Sequence, residues 1–241
     1  MERPRILCIH GIGGKDASMD AISGWADKWR AGLKLHLKLR NDESIKFMKF
    51  DSHFKFKNAG ITEYAEFIGK TFLDFLFNRR SNKMVSIKDL MYDYPDMVVE
   101  YLLDTKLKSI LWKDLGEHIA IHKPDIIYAH SLGSLMCYDF FCQDENRTGY
   151  ENIILVTAGS QIGSKLIIPH IDFPIRQLPV KNWYNLNNNK DLVFAGQNIL
   201  SQHPNFKQVE TYFNDDWPAN HDGYNYLNHQ KAVLEVWNTF N

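Results

Sequence analysis

A chain of 241 residues with 44% hydrophobic and 24% charged residues has the make-up of a globular protein that buries a substantial core. Its formal net charge of −1 provides no global field favouring nucleic acid, an anionic membrane surface or an acidic partner, and nucleic-acid binding is set aside. No stretch approaches the roughly 20 apolar residues of a membrane-spanning helix, and the charged start "MERPRILCIHG" has no signal-peptide core.

In chain order, short apolar runs alternate with helix-like stretches, which predicts an α/β fold with a mostly parallel sheet and helices on both faces. "RILCIHG" (5–11) reads as a buried strand ending at glycine. "DAISGWADKWRAGLKLHLKLR" (20–40) sets Ile22, Trp25, Trp29, Leu33 and Leu37 at helical spacing, and "SIKFMKF" (44–50) alternates as a strand. The stretch from about 53 to 110 is far longer than a loop plus one helix. Within it, residues 61–80 carry Ile61, Tyr64, Phe67, Ile68, Phe72, Phe75 and Leu76 on one stripe. That pattern fits a helix packed on the core or on a second subunit, with a lid or acyl-pocket wall as the alternative. Further strands are expected at "DIIYAH" (125–130), "NIILVTAG" (152–159), "VKNWYNL" (180–186) and "FKQVETYF" (206–213), with a last helix over 226–240. No repeat or disordered linker marks a boundary, so residues 1–241 read as a single domain with a helical insertion at 53–110.

Chemistry concentrates at "DIIYAHSLGSLM" (125–136), an apolar strand, a sharp turn around Ser131 and small residues opening a helix. Such a turn lifts a serine hydroxyl to the top of the sheet, provided the residues two before and two after it are small. Here they are Ala129 and Gly133. A nucleophilic serine also needs oxyanion donors, a base and an acid that orients the base. "CIHGIGG" (8–14) supplies glycines able to turn backbone N–H groups inward after the first strand. It fits neither common phosphate-loop pattern. The donor candidates are the N–H groups of Ile12 and Leu132. His10 is read as a structural hydrogen-bonder of this turn.

Among the 10 histidines, His221 stands out in "PANHDGYNYL", a polar loop before the last helix. His203 and His170 are weaker candidates, and His229 reads as a surface residue. For the acid, Asp191 follows the strand and Asn-rich turn "WYNLNNNKD". Asp172 is the rival, while Asp215 and Asp216 read as solvated loop charges. Cys8, Cys137 and Cys142 lie in apolar runs without metal-ligand spacing, which predicts buried free thiols in a reducing, cytoplasmic setting.

On these motifs the chain resembles the α/β-hydrolase superfamily, in particular its lipase/esterase-like serine hydrolases. The resemblance runs from the "HGIGG" turn through "AHSLGS" and "NNNKD" to "NHDGYNYL", where an aromatic follows the base. Ala129 in place of glycine is its departure. It implies Ser131 as nucleophile, Asp191 as acid, His221 as base, and Ile12 and Leu132 as the oxyanion hole. It also places the G-S turn of "VTAGSQIG" (156–163) near the active site. The implied substrate is a small-molecule or lipid ester, without cofactor or metal. Peripheral membrane contact is compatible with it, and the oligomeric state is left open. Two other readings stand beside it: a lipase-like effector activated by a partner or membrane, and a binding module that keeps the fold without turnover.

Overall fold

Two of the apolar runs, "IIYAH" and "ILVTA", become strands with every residue buried, as befits parallel strands covered on both faces. The computed structural model describes residues 4–11, 22–54, 96–146, 148–164, 167–191, 198–214 and 219–240. The strands are β1 (Ile6–Ile9), β2 (Ile45–Met48), β3 (Ile126–His130), β4 (Ile154–Ala158), β5 (Asn182–Asn187) and β6 (Phe206–Glu210). They form one six-stranded sheet in the order β2-β1-β3-β4-β5-β6, and every neighbouring pair is parallel. Five fall within the stretches expected from the sequence, and β5 runs one residue past the expected end at Leu186.

Alternate residues of these strands supply two faces. On one, Cys8, Tyr128, Val156, Leu186 and Val209 join Trp29, Leu33 and Leu37 of helix α1 (Ile22–His36), together with Leu227 and Trp237 from the C-terminal segment. On the other, Trp183 of β5 meets Tyr138 of the helix that follows β3. α1 ends through Lys38 in the left-handed region (φ 51°), which lets Leu39 N–H donate back to Lys34 O.

The chain divides into two compact units, Met1–Lys49 with Trp112–Asn241, and Phe50–Leu111. The first holds the whole sheet. In the second, the described residues form a short turn at Asp51–His53, helix α2 (Asp96–Leu103) and the start of helix α3 (Thr105–His122). Asp104 separates the two helices because its carboxylate accepts from Lys106 N–H and Leu107 N–H, capping α3. The aromatic stripe expected over 61–80 lies outside the described residues. Helix α4 (Leu132–Cys142) is buried along its full length, and its Phe140 packs beside Gly116 in the later part of α3.

The C-terminus departs from the single helix expected over 226–240. It forms α5 (Gly223–Asn228), α6 (Gln230–Glu235) and a final turn at Trp237–Phe240. His229 makes the break: its backbone is extended (ψ 137°) and its Nδ1 accepts from Lys231 N–H, so this side chain caps α6. Its Nε2–H donates to Tyr212 O, so it is tied into the structure at both ring nitrogens. Among the described residues, no helix is long and apolar enough to cross a membrane.

Candidate active site

In this strand order the chain leaves β1 towards one edge and β3 towards the other, so the carboxyl ends of β1 and β3 flank a topological switch point. Crevices of parallel sheets open there. Gly11 follows β1 and Ser131 follows β3. Ser131 adopts φ 54° and ψ −127°, a strained conformation for a residue with a side chain, held by Ser131 N–H donating to Ala158 O at 2.9 Å. Ser134 anchors the turn from below, its hydroxyl donating to Ala129 O at 2.9 Å.

The small residues around the serine are required by contact. A Cβ on Gly11 would lie 2.4 Å from Ser131 Cβ, and one on Gly133 would lie 2.7 Å from Ile9 O. Ala129 is fully buried, paired in register with Ile9 on one side and Thr157 on the other, and the sheet accommodates its methyl group. Only 6% of Ser131 is exposed.

Three strand ends converge on this hydroxyl. Ser131 Oγ–H donates to His221 Nε2 at 3.1 Å, and His221 Nδ1–H donates to Asp191 Oδ2 at 2.6 Å. Tyr226 O–H donates to the same carboxylate oxygen at 2.6 Å. Asp191 stands just past β5 and is 2% exposed, while His221 lies between β6 and α5. The Asn-rich turn joins these two loops. Asn188 accepts from Lys190 N–H and donates to Phe213 O and Asn220 O, and Asn220 donates to Lys190 O. The structure therefore brings Ser131, His221 and Asp191 into one hydrogen-bonded chain. Leu132 opens α4, so its N–H belongs to the helix-terminal donors without an intrahelical partner. Ile12 lies outside the described residues.

The other candidates are engaged elsewhere. His203 donates to Ile175 O, Asp172 pairs with Arg176, and His170 ends a short turn at Ile168–His170. Asp215 and Asp216 lie outside the described residues. His10 donates to Gly11 O and its ring stands 4.1 Å from that of Trp25, and burial pushes its pKa down to about 4. His130 donates to His221 O at 2.8 Å, fixing the backbone beneath that imidazole. Burial, with the neighbouring His221 and His10, holds it well below the usual histidine range. Both rings are therefore neutral supports at neutral pH. Burial, followed by the Asp191 carboxylate, raises the Tyr226 phenol, so it stays protonated as a donor. Cys8, Cys137 and Cys142 are buried free thiols. Burial raises all three, Cys142 to about 12. Among the described residues no cluster of side chains is arranged to hold a metal ion.

Two side chains that bond to this chain of residues were not individually legible in the sequence. Gln161, 2% exposed, donates from Nε2 to Ser131 Oγ at 3.0 Å, and Tyr226 holds Asp191. The G-S turn and the aromatic after the histidine were their signals, but neither fixed which side chain would make the contact. Beyond Gln161 a cavity of about 740 Å³ opens over the carboxyl ends of β4 to β6, lined mainly by apolar side chains such as Ile162, Phe173, Ile175 and Ile199. Ser131 and His221 do not line it. Its links to them in the chain are Ile162, next to Gln161, and Asn189, two residues before Asp191. No known family model and no curated protein matches the chain.

Proposed function

We propose that the chain is a serine hydrolase of the α/β-hydrolase type that cleaves carboxylic esters through an acyl-enzyme. The observation that carries this reading is the unbroken hydrogen-bonded path from Ser131 Oγ through both nitrogens of His221 to the buried Asp191 carboxylate, set at the sheet's switch point. In the proposed cycle Ser131 Oγ attacks the ester carbonyl while His221 Nε2 takes its proton, and the carbonyl π pair becomes an oxyanion. Collapse expels the alcohol, which leaves with the proton from His221. Water then gives a proton to the same nitrogen and attacks the acyl group. The acid departs, and the proton returns to Ser131.

Asp191 holds the tautomer with Nδ1 protonated and offsets the imidazolium charge, and Tyr226 holds Asp191. The backbone N–H groups of Leu132 and Ile12 are the proposed oxyanion donors. The chemistry asks for no cofactor or metal. The apolar cavity supports an acyl-bearing substrate over a small acetyl ester, since a pocket of this size takes a flexible apolar group. Buried free thiols suit a reducing, cytoplasmic setting.

The test is hydrolysis of p-nitrophenyl esters from acetate to dodecanoate. The wild type turns these over with a rate that rises to a medium chain length, and Ser131→Ala loses about six orders of magnitude in kcat. Equal turnover by wild type and Ser131→Ala refutes the reading, and a flat chain-length profile refutes its acyl preference.

A further inference from the structure

The Ser131 hydroxyl has a second side-chain partner besides His221. Gln161 reaches it from the turn after β4, where Gly159 takes a left-handed backbone (φ 53°) and passes the imidazoles closely. A Cβ at Gly159 would stand 3.1 Å from His130 Nε2 and 3.1 Å from His221 Cε1. The amide orientation follows from proton counting. Ser131 Oγ has one hydrogen, given to His221, so it can only accept from Gln161, and Nε2 must face it.

The other end of the same amide matters as much. Gln161 Oε1 is buried without a hydrogen-bond partner among the described residues. A glutamine kept for the sake of the fold is ordinarily satisfied at both ends, because leaving a buried carbonyl unpaired costs its full desolvation. Among the described residues, the hydrogen bond that this side-chain amide makes goes to Ser131 Oγ.

We infer that Gln161 is a catalytic residue of the proposed ester hydrolysis, a side-chain donor to the oxyanion alongside the backbone N–H of Leu132. This rests on the serine-hydrolase reading. When Oγ attacks, its lone pair becomes the new C–O bond and its capacity as an acceptor falls. Charge appears instead on the carbonyl oxygen, which now shares one carbon with Oγ. The Nε2–H group follows that charge by a small turn about the last side-chain torsion, which is soft in glutamine. No proton leaves Gln161 at any stage. On collapse the amide returns to the acyl oxygen's neighbourhood, and after hydrolysis to the free hydroxyl. Other donors of this kind are worth on the order of 10² to 10³ in kcat.

The experiment measures steady-state hydrolysis of p-nitrophenyl butyrate and inhibition by butylboronic acid, whose serine adduct is a tetrahedral anion. Wild type, Gln161→Leu and Gln161→Glu are compared. Gln161→Leu is expected to lower kcat about 10²-fold with KM within twofold, and to weaken boronate binding by a similar factor, because both losses fall on the tetrahedral species. Gln161→Glu keeps the shape but replaces the donor by acceptors. It is expected to lose at least as much, which keeps the test sharp if the leucine variant folds poorly. A kcat within threefold of wild type in either folded variant overturns the role, as does a loss confined to KM with unchanged boronate affinity. Failure of the underlying reading looks different: the wild type itself neither turns over ester nor binds boronate.

Discussion

Around Ser131 the described residues pack closely. A methyl group on Gly11 would overlap Ser131, one on Gly223 would come within 2.4 Å of Trp29 Cζ2, and the tilted rings of His10, His130 and His221 follow one another at separations of 5.3 and 4.7 Å. Further along the same carboxyl edge, over β4 to β6, the chain leaves about 740 Å³ open and presents Phe173, Leu200 and Tyr212 at 58%, 84% and 56% exposure. The contrast matches two tasks that the proposed hydrolase site must combine. Reacting atoms need fixed positions, since a misplacement of about 1 Å costs on the order of 10² in rate. The body of a substrate needs room and apolar surface instead.

Substitutions in the tight region are expected to act on kcat, and those in the open region on substrate preference. The largest effect below removal of the serine belongs to Asp191→Asn. It leaves the shape intact but favours the wrong His221 tautomer, and kcat for p-nitrophenyl butyrate is expected to fall about 10⁴-fold. Gly11→Ala forces the turn away from Ser131. Its expected cost is about 1–3 kcal/mol of stability from overpacking, read by urea unfolding, and about 10²-fold in kcat.

Tyr226→Phe removes a hydrogen bond to a buried carboxylate, with an expected loss of about 1.5–3 kcal/mol in the same unfolding measurement. A still gentler probe is pH. The folded-state pKa values of His10, about 4, and His130 lie below the unfolded value near 6.5. The unfolded chain therefore binds more protons in that window. Stability is full above about pH 6.5 and is lost as pH falls towards 4, which a series of thermal melts reads directly. The smallest effect is expected from Leu200→Asp at the rim of the cavity: roughly a tenfold loss of kcat/KM for octanoate relative to acetate esters. If Leu200→Asp instead lowers kcat for every ester alike, the division between the two regions fails.

Much of this was legible in the sequence for a physical reason. Parallel strands buried on both faces must be apolar throughout, so "DIIYAH" and "NIILVTAG" announce themselves. The serine turn is legible because only small residues fit where α4 crosses Ile9 O. His221 stood out from 10 histidines by its place in a polar loop, and Asp191 by the asparagines that tie its loop down. What stayed hidden depends on contacts between distant segments. His229 breaks the last helix because its ring finds Lys231 N–H and Tyr212 O, and the spacing of apolar residues carries no trace of that. Gln161 reaches Ser131 because Gly159 turns left-handed beneath the histidines, a conformation that "VTAGSQIG" permits but does not dictate. Lys38 is a third case, a left-handed helix end formed by lysine where a sequence reading looks for glycine.

The central claim is that Ser131 is made nucleophilic by His221. Its most direct test is intact-mass spectrometry after treatment with a fluorophosphonate, on the wild type, Ser131→Ala and His221→Ala. The account predicts a single adduct on the wild type and none on either variant. An unlabelled wild type, or an adduct that survives in Ser131→Ala, would contradict it.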